Sequence, residues 1–201
     1  MTDGPLLWYL NRSSGMVLLV LFTLTLVLGI LSTRGRAGRG VPVFVTQALH
    51  RNTAILAVAM LVAHIATAVV DTYVDIRWWQ ALVPWGATYE PLYFESGVIA
   101  FDLIVVVSLT SLARARLAPR GWRAIHLTSY VAWVVSLVHG IGIGTDLRED
   151  ARWAWLLTAG CLAVVLAAGT WRVGTLALDR RTRRQPLLAP SSGVGVERLS
   201  R

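Results

Sequence analysis

A chain of 201 residues that is 55% hydrophobic and only 15% charged is too apolar for a soluble globular domain and reads as an integral membrane protein. Its net charge of +8 comes from 19 arginines, with no lysine, against 11 acids; the arginines are split among short connections and a tail, which argues against nucleic acid as a partner. The single cysteine, Cys161, lies in an apolar run, so neither an intramolecular disulfide nor a thiolate metal cluster is available.

The first apolar run, Gly15 to Leu31, has no basic start and is followed by Arg34, Arg36 and Arg39 in place of a small-residue cleavage site, which makes it a membrane span and not a secretory signal. Four more spans are expected over Gln47 to Val70, Gly97 to Leu112, Trp122 to Ile143 and Trp153 to Leu176. The third is the shortest and carries Asp102, a partner for an arginine, a proton carrier or a boundary residue. The expected organisation is an extracytoplasmic segment over 1–14, an all-α membrane bundle of about five helices over 15–176, and a flexible cytoplasmic tail over 177–201. From Gln185 that tail is rich in Pro, Ser and Gly without apolar periodicity. No repeat at a fixed period is evident, although the second and fourth spans share a histidine layout.

Charge alternates between the connections. Arg34, Arg36, Arg39 and Arg51 mark one side, as do Arg114, Arg116, Arg120 and Arg123 and the tail residues Arg180, Arg181, Arg183 and Arg184. By the positive-inside rule that side is cytoplasmic. The connection from Asp71 to Ser96 holds Asp71, Asp75, Glu90 and Glu95, and the one after the fourth span holds Asp146, Glu149 and Asp150; both face outward. The N-terminus is therefore expected outside and the C-terminus inside, in a multi-pass protein of the plasma membrane surrounded by lipid. Trp8, Trp78, Trp79, Trp85, Trp153 and Trp155 fall at the outer boundary and Trp122 and Trp171 near the inner one, as an aromatic belt requires.

All four histidines lie inside apolar spans, where an ionisable or ligating group is costly. The second and fourth spans run in the same direction, so His50 and His126 lie at one depth near the inner face, and His64 and His139 at one depth toward the outer face. Spacings of 14 and 13 residues, at about 1.5 Å per residue, separate the two levels by about 20 Å. Two level pairs of imidazoles suit two haems, each iron held by two axial histidines with no open position, and the chemistry is then electron transfer. Packed, hydrogen-bonded bundle histidines are the bland alternative. Zinc is disfavoured, because two ligands per level fall short of four. The 13-residue step does not return to the same helix face, so a bend, local unwinding or helix crossing must bring His126 and His139 to their irons.

The text LHRNTAILAVAMLVAHI, the segment WRAIHLTSYVAWVVSLVHGIGIGTD and the two histidine spacings make the chain resemble the ferric reductase-like transmembrane superfamily, over about residues 15 to 175. That family includes NADPH oxidases, ferric reductases and the haem subunit of the methionine sulfoxide reductase system. The resemblance implies two b-type haems, His50 and His126 on the inner iron and His64 and His139 on the outer, carrying electrons across the membrane. No FAD or NADPH module follows the last span here, and five spans stand where larger members have six. The expectation is accordingly a membrane component of an oxidoreductase, with flavin present only through a separate partner and a flavoprotein or quinol as donor or acceptor. A haem-free transporter or proton conductor using the histidines as a relay, and a non-catalytic membrane subunit of a redox complex, are the competing readings.

Arg51 beside His50, and Arg120 and Arg123 before His126, are candidates to neutralise inner haem propionates, a role that positive-inside anchoring explains equally. Arg77, Arg148 and Arg152 are weaker candidates for the outer haem. Trp133, midway between His126 and His139, is either a spacer between haems or a packed core aromatic. The connection from Asp71 to Ser96 is expected to fold over the outer haem. The glycines of GIGIGTD either admit a porphyrin or end the helix.

Overall fold

The computed structural model describes residues 5–32, 42–71, 76–149 and 151–184, the last seven of these by backbone alone. The expectations for Arg34, Arg36, Arg39, Asp75, Asp150, the tail from Gln185 and the side chains of Arg180, Arg181, Arg183 and Arg184 lie outside the described residues. Six helices follow in order: α1 (Pro5–Ser32), α2 (Val43–Val70), α3 (Pro91–Leu112), α4 (Pro119–Ile143), α5 (Thr145–Arg148) and α6 (Arg152–Arg184). All but the one-turn α5 are long and apolar enough to cross a membrane, and no strand occurs among the described residues. The protein is thus an all-α polytopic bundle, and most of the apolar surface of its helices faces outward, where lipid is the matching solvent.

The helices outrun the expected spans, α3 for instance beginning at Pro91 and not at Gly97, and the two largest differences are in α1 and α6. α1 begins at Pro5 and not at Gly15, so Asn11, Arg12 and Ser14 are helical residues; each has a partner on another element, which removes the reason to end the helix there. α6 runs past Leu176 to Arg184, through part of the segment expected to be a flexible tail. Proline occupies the first turn of α3 and of α4, where its missing N–H has no partner to lose.

The bundle is two antiparallel hairpins. α1 packs along α2 and α3 along α4, while α2 makes little or no close backbone approach to α3 or α4. α1 is the central helix, packing also against α6 and α4. Buried Leu26, Trp133 and Cys161 join α1, α4 and α6, with Leu19, Val20, Phe22, Leu137 and Val165 around them. The Trp133 indole N–H donates to Thr23 Oγ1 at 3.1 Å, so this aromatic is a satisfied core residue on the α1 side of α4. α4 is helical without a 3-10 or π interruption, which excludes local unwinding as the device that accommodates the 13-residue histidine step.

Residues 76–90, ahead of α3, fold into a cap. A 3-10 turn over Trp78–Ala81 is closed by buried Gln80, whose amide accepts from the Arg77 N–H at 2.9 Å and donates to the Gly86 carbonyl at 3.0 Å. Gly86 has φ +81°, a conformation that favours glycine, and it turns the chain against the Trp79 ring. The cap is tied down by Arg148, which donates to Glu90 at 3.1 Å.

Candidate functional site

Each histidine crosses from its own helix to the other helix of its hairpin. His50 Nδ1–H donates to the Thr25 carbonyl at 2.9 Å and His139 Nδ1–H to the Tyr93 carbonyl at 2.9 Å. His64 Nδ1–H donates to the Asn11 carbonyl at 3.2 Å and also meets Ser14 Oγ at 3.0 Å. A carbonyl only accepts, so Nδ1 carries the proton in these three rings and Nε2 is left with a bare lone pair. The fourth ring differs: His126 Nδ1 faces Ser111 Oγ at 3.4 Å.

The carbonyls are reachable because of glycine. In an α-helix the carbonyl of residue i already accepts from the N–H of i+4, and a side chain that seeks its second lone pair passes the Cβ of i+4. That residue is Gly15 behind Asn11, Gly29 behind Thr25 and Gly97 behind Tyr93. A Cβ on Gly15 or Gly29 would stand 3.3 Å from Cε1 of His64 or His50, and one on Gly97 would overlap the His139 ring. Gly15 and Gly29 are 14 positions apart; the position 14 beyond Gly97 is Ser111. There the notch is filled, and the serine hydroxyl stands in for the carbonyl.

His50 and His126 meet across the gap between the hairpins, ring centroids 6.1 Å apart and planes inclined at 70°. Two imidazoles on opposite sides of one first-row metal ion, at about 2 Å per metal–nitrogen bond, hold their centroids about 6.5 Å apart. The Trp122 indole stacks on His126 at 5.0 Å and 26°, and the Arg114 guanidinium lies 4.6 Å from the same indole. Arg51, Arg120 and Arg123, the residues expected near the propionates, are exposed at this end and form no ion pair with a described residue.

His64 and His139 line a cavity of about 300 Å³. Its walls include Gly97, Phe94, Phe101 and Leu137, and the cap contributes Ile76, Ala81 and Tyr89. Residues 76–90 of the connection thus border this level. Arg12 of α1 makes a two-pronged ion pair with Asp146 of α5, which is 2% exposed, and approaches Glu149 at 3.8 Å. Trp8 lies against the Arg12 guanidinium at 4.8 Å. Thr158 of α6 also lines the cavity, buried and with its hydroxyl unpartnered.

Several sequence expectations are met by other residues. Arg148 serves Glu90 and the cap; Asp102 is half-buried and has no hydrogen bond or ion pair with a described residue. In GIGIGTD, Gly142 makes room for the Tyr93 ring, Gly144 ends α4, and Gly140 and Gly144 line the cavity. Sequence reading missed Arg12, Ser14, Ser111 and the three glycine notches. The available signal was the polar run Asn11 to Ser14 beside an apolar span, which required partners.

Among the described residues no three His, Cys, Asp or Glu side chains converge, and each level offers two imidazoles with Nε2 free in three of the four. That donor set fits a group that brings its own equatorial ligands, as haem does. A family model described as a domain of unknown function, DUF8596, matches residues 6–146. The chain belongs to that family, and the matched span holds all four histidines, their hydrogen-bond partners, Arg12 and Asp146. No curated protein and no solved structure matches the chain.

Proposed function

We propose that this chain is a ferric reductase-like, di-haem b membrane protein that passes electrons across the bilayer between separate partner proteins. The observation that carries the reading is the seating of the histidines: three rings donate from Nδ1 to a helix carbonyl across a glycine notch, and the fourth faces a serine hydroxyl in the equivalent place. Metal-ligating histidines are held in this manner, because the second-shell bond fixes the tautomer and aims the other nitrogen at the metal. His50 and His126 would hold one haem and His64 and His139 the other. Haem, when bound by two imidazoles, supplies one-electron transfer and leaves no position for oxygen.

The protein's own residues orient the ligands, keep the site dry and set local charge. We place the arginine-rich end in the cytoplasm and the cap outside in the plasma membrane, on the positive-inside rule. A flavoprotein or quinol at one end would supply or take the electrons.

Detergent-purified full-length protein, reduced with dithionite, should show a low-spin b-type spectrum and about two haems per chain. A colourless but folded protein would sink the proposal. A reporter fused to the C-terminus should read cytoplasmic; an external reading would reverse the orientation.

A further inference from the structure

Buried polar atoms without partners are rare in folded proteins, and among the described residues two side-chain atoms are in that state: Thr158 Oγ1 and Trp122 Nε1. Thr158 lies on the cavity of the His64/His139 level. Trp122 belongs to the other level, and its surroundings specify what the indole N–H lacks. It sits one helical turn before His126 on α4, toward the arginine-rich end, and stacks on that ring. A side chain stacked on an axial ligand lies beside the rim of whatever that ligand binds. Arg114, from the turn after α3, is against the same indole. Arg51, Arg120 and Arg123 surround this end, and no described carboxylate forms an ion pair with any of them or with Arg114. An N–H donor without an acceptor, beside a guanidinium without an anion, calls for an acceptor that is itself anionic.

We propose that Trp122 Nε1–H and Arg114 together bind a carboxylate of the porphyrin held by His50 and His126. This rests on the haem reading of that level and assigns the anchoring role to two residues other than Arg51 and Arg123. The indole supplies a directed donor that is already desolvated, and Arg114 supplies the charge. A lipid phosphate is the other anion that could reach the same donors from the membrane surface.

Esterified haem separates the two sources. The full-length protein carrying His64→Ala, and independently His139→Ala, leaves the His50/His126 level as the sole bis-histidine site. Each apoprotein is titrated in phospholipid-free maltoside detergent with haemin or with its dimethyl ester, and the Soret band reports binding. The parent should bind the ester roughly tenfold or more weakly than haemin, the loss expected for a charge-assisted hydrogen bond. Trp122→Phe keeps a ring to stack on His126 and removes only the N–H; it should shrink this discrimination, as should Arg114→Gln, and the double variant should abolish it. A parent that binds both ligands equally, or a Trp122→Phe protein that discriminates as the parent does, overturns the carboxylate site and leaves haem binding intact; equal binding would point to lipid phosphate. A parent that binds neither ligand overturns this site, and a wild-type protein that also binds neither overturns the haem reading with it.

Discussion

The two histidine levels are each a pair of imidazoles drawn from the same kind of hairpin, but their surroundings are opposite in character. At the arginine-rich end His50 and His126 stand 6.1 Å apart between centroids, under a stacked indole, and their neighbours Arg51, Arg120 and Arg123 are exposed. At the cap end His64 and His139 line a cavity bordered by the folded segment and by Arg12, which pairs with buried Asp146. One level is rimmed by exposed cations without ion-pair partners among the described residues; the other has its arginine paired with a buried carboxylate. The same difference reaches the ring nitrogens. Both cap-end histidines donate to carbonyls, whereas at the arginine end only His50 does.

The largest effect should come from emptying one level. On the proposed haem reading His139→Ala removes one axial ligand from the cap end, and purified protein should fall from about two haems per chain to about one, with the arginine-end spectrum retained. His126→Ala should do the converse. If either substitution empties both levels, the two are not separable sites and the contrast between them has no thermodynamic meaning.

Next comes the glycine notch. A Cβ at position 97 overlaps the His139 ring, while at Gly15 or Gly29 it would meet an imidazole carbon at 3.3 Å, close enough to require only a small shift. Gly97→Ala should therefore cost the cap-end haem most of its occupancy. Gly15→Ala and Gly29→Ala should cost less, and Gly160→Ala, which faces open space, should change nothing. Haem-to-protein ratios across the four variants test the ranking; equal losses at all four would show that the notch is not what is being measured, since alanine itself favours the helix over glycine.

The third is the ion pair. Arg12→Gln leaves Asp146 buried without its counter-charge, a change that costs about 3 kcal/mol in comparable buried pairs. Asp146→Asn should cost less because Arg12 is a quarter exposed, and the double variant should recover part of the loss. Thermal unfolding in detergent gives the ordering. If both single variants unfold as the wild type does, the pair does not hold α1 to α5.

Much of this architecture is legible in the sequence, and the illegible part has a physical cause. Five spans follow from apolar run length, and the level pairing of His50 with His126 follows from two parallel spans. The beginning of α1 was hidden because Asn11 and Arg12 look like a boundary until Asp146, far along the chain, neutralises the arginine. The notches were hidden because they are relations between helices: a glycine four residues after an acceptor has no meaning until a histidine from the next helix is placed against it. The pattern also never repeats as text, since the acceptors are Asn11, Thr25 and Tyr93 and the fourth place holds Ser111.

Ser111 yields the smallest effect and tests the asymmetry most directly. It occupies the position, 14 residues after Gly97, at which a glycine would open the Val107 carbonyl to His126. A carbonyl acceptor strengthens the imidazole as a donor to iron and favours the oxidised state, more than a hydroxyl at 3.4 Å does. Ser111→Gly should thus lower the midpoint potential of the arginine-end haem, and Ser111→Ala, which fills the notch without an acceptor, should raise it. Each change corresponds to less than about 1 kcal/mol, the scale of one neutral hydrogen bond. Redox titration resolves the sign. Shifts in the same direction for both variants would mean that the hydroxyl does not stand in for a carbonyl, and that the two levels differ in their walls and not in their ligands.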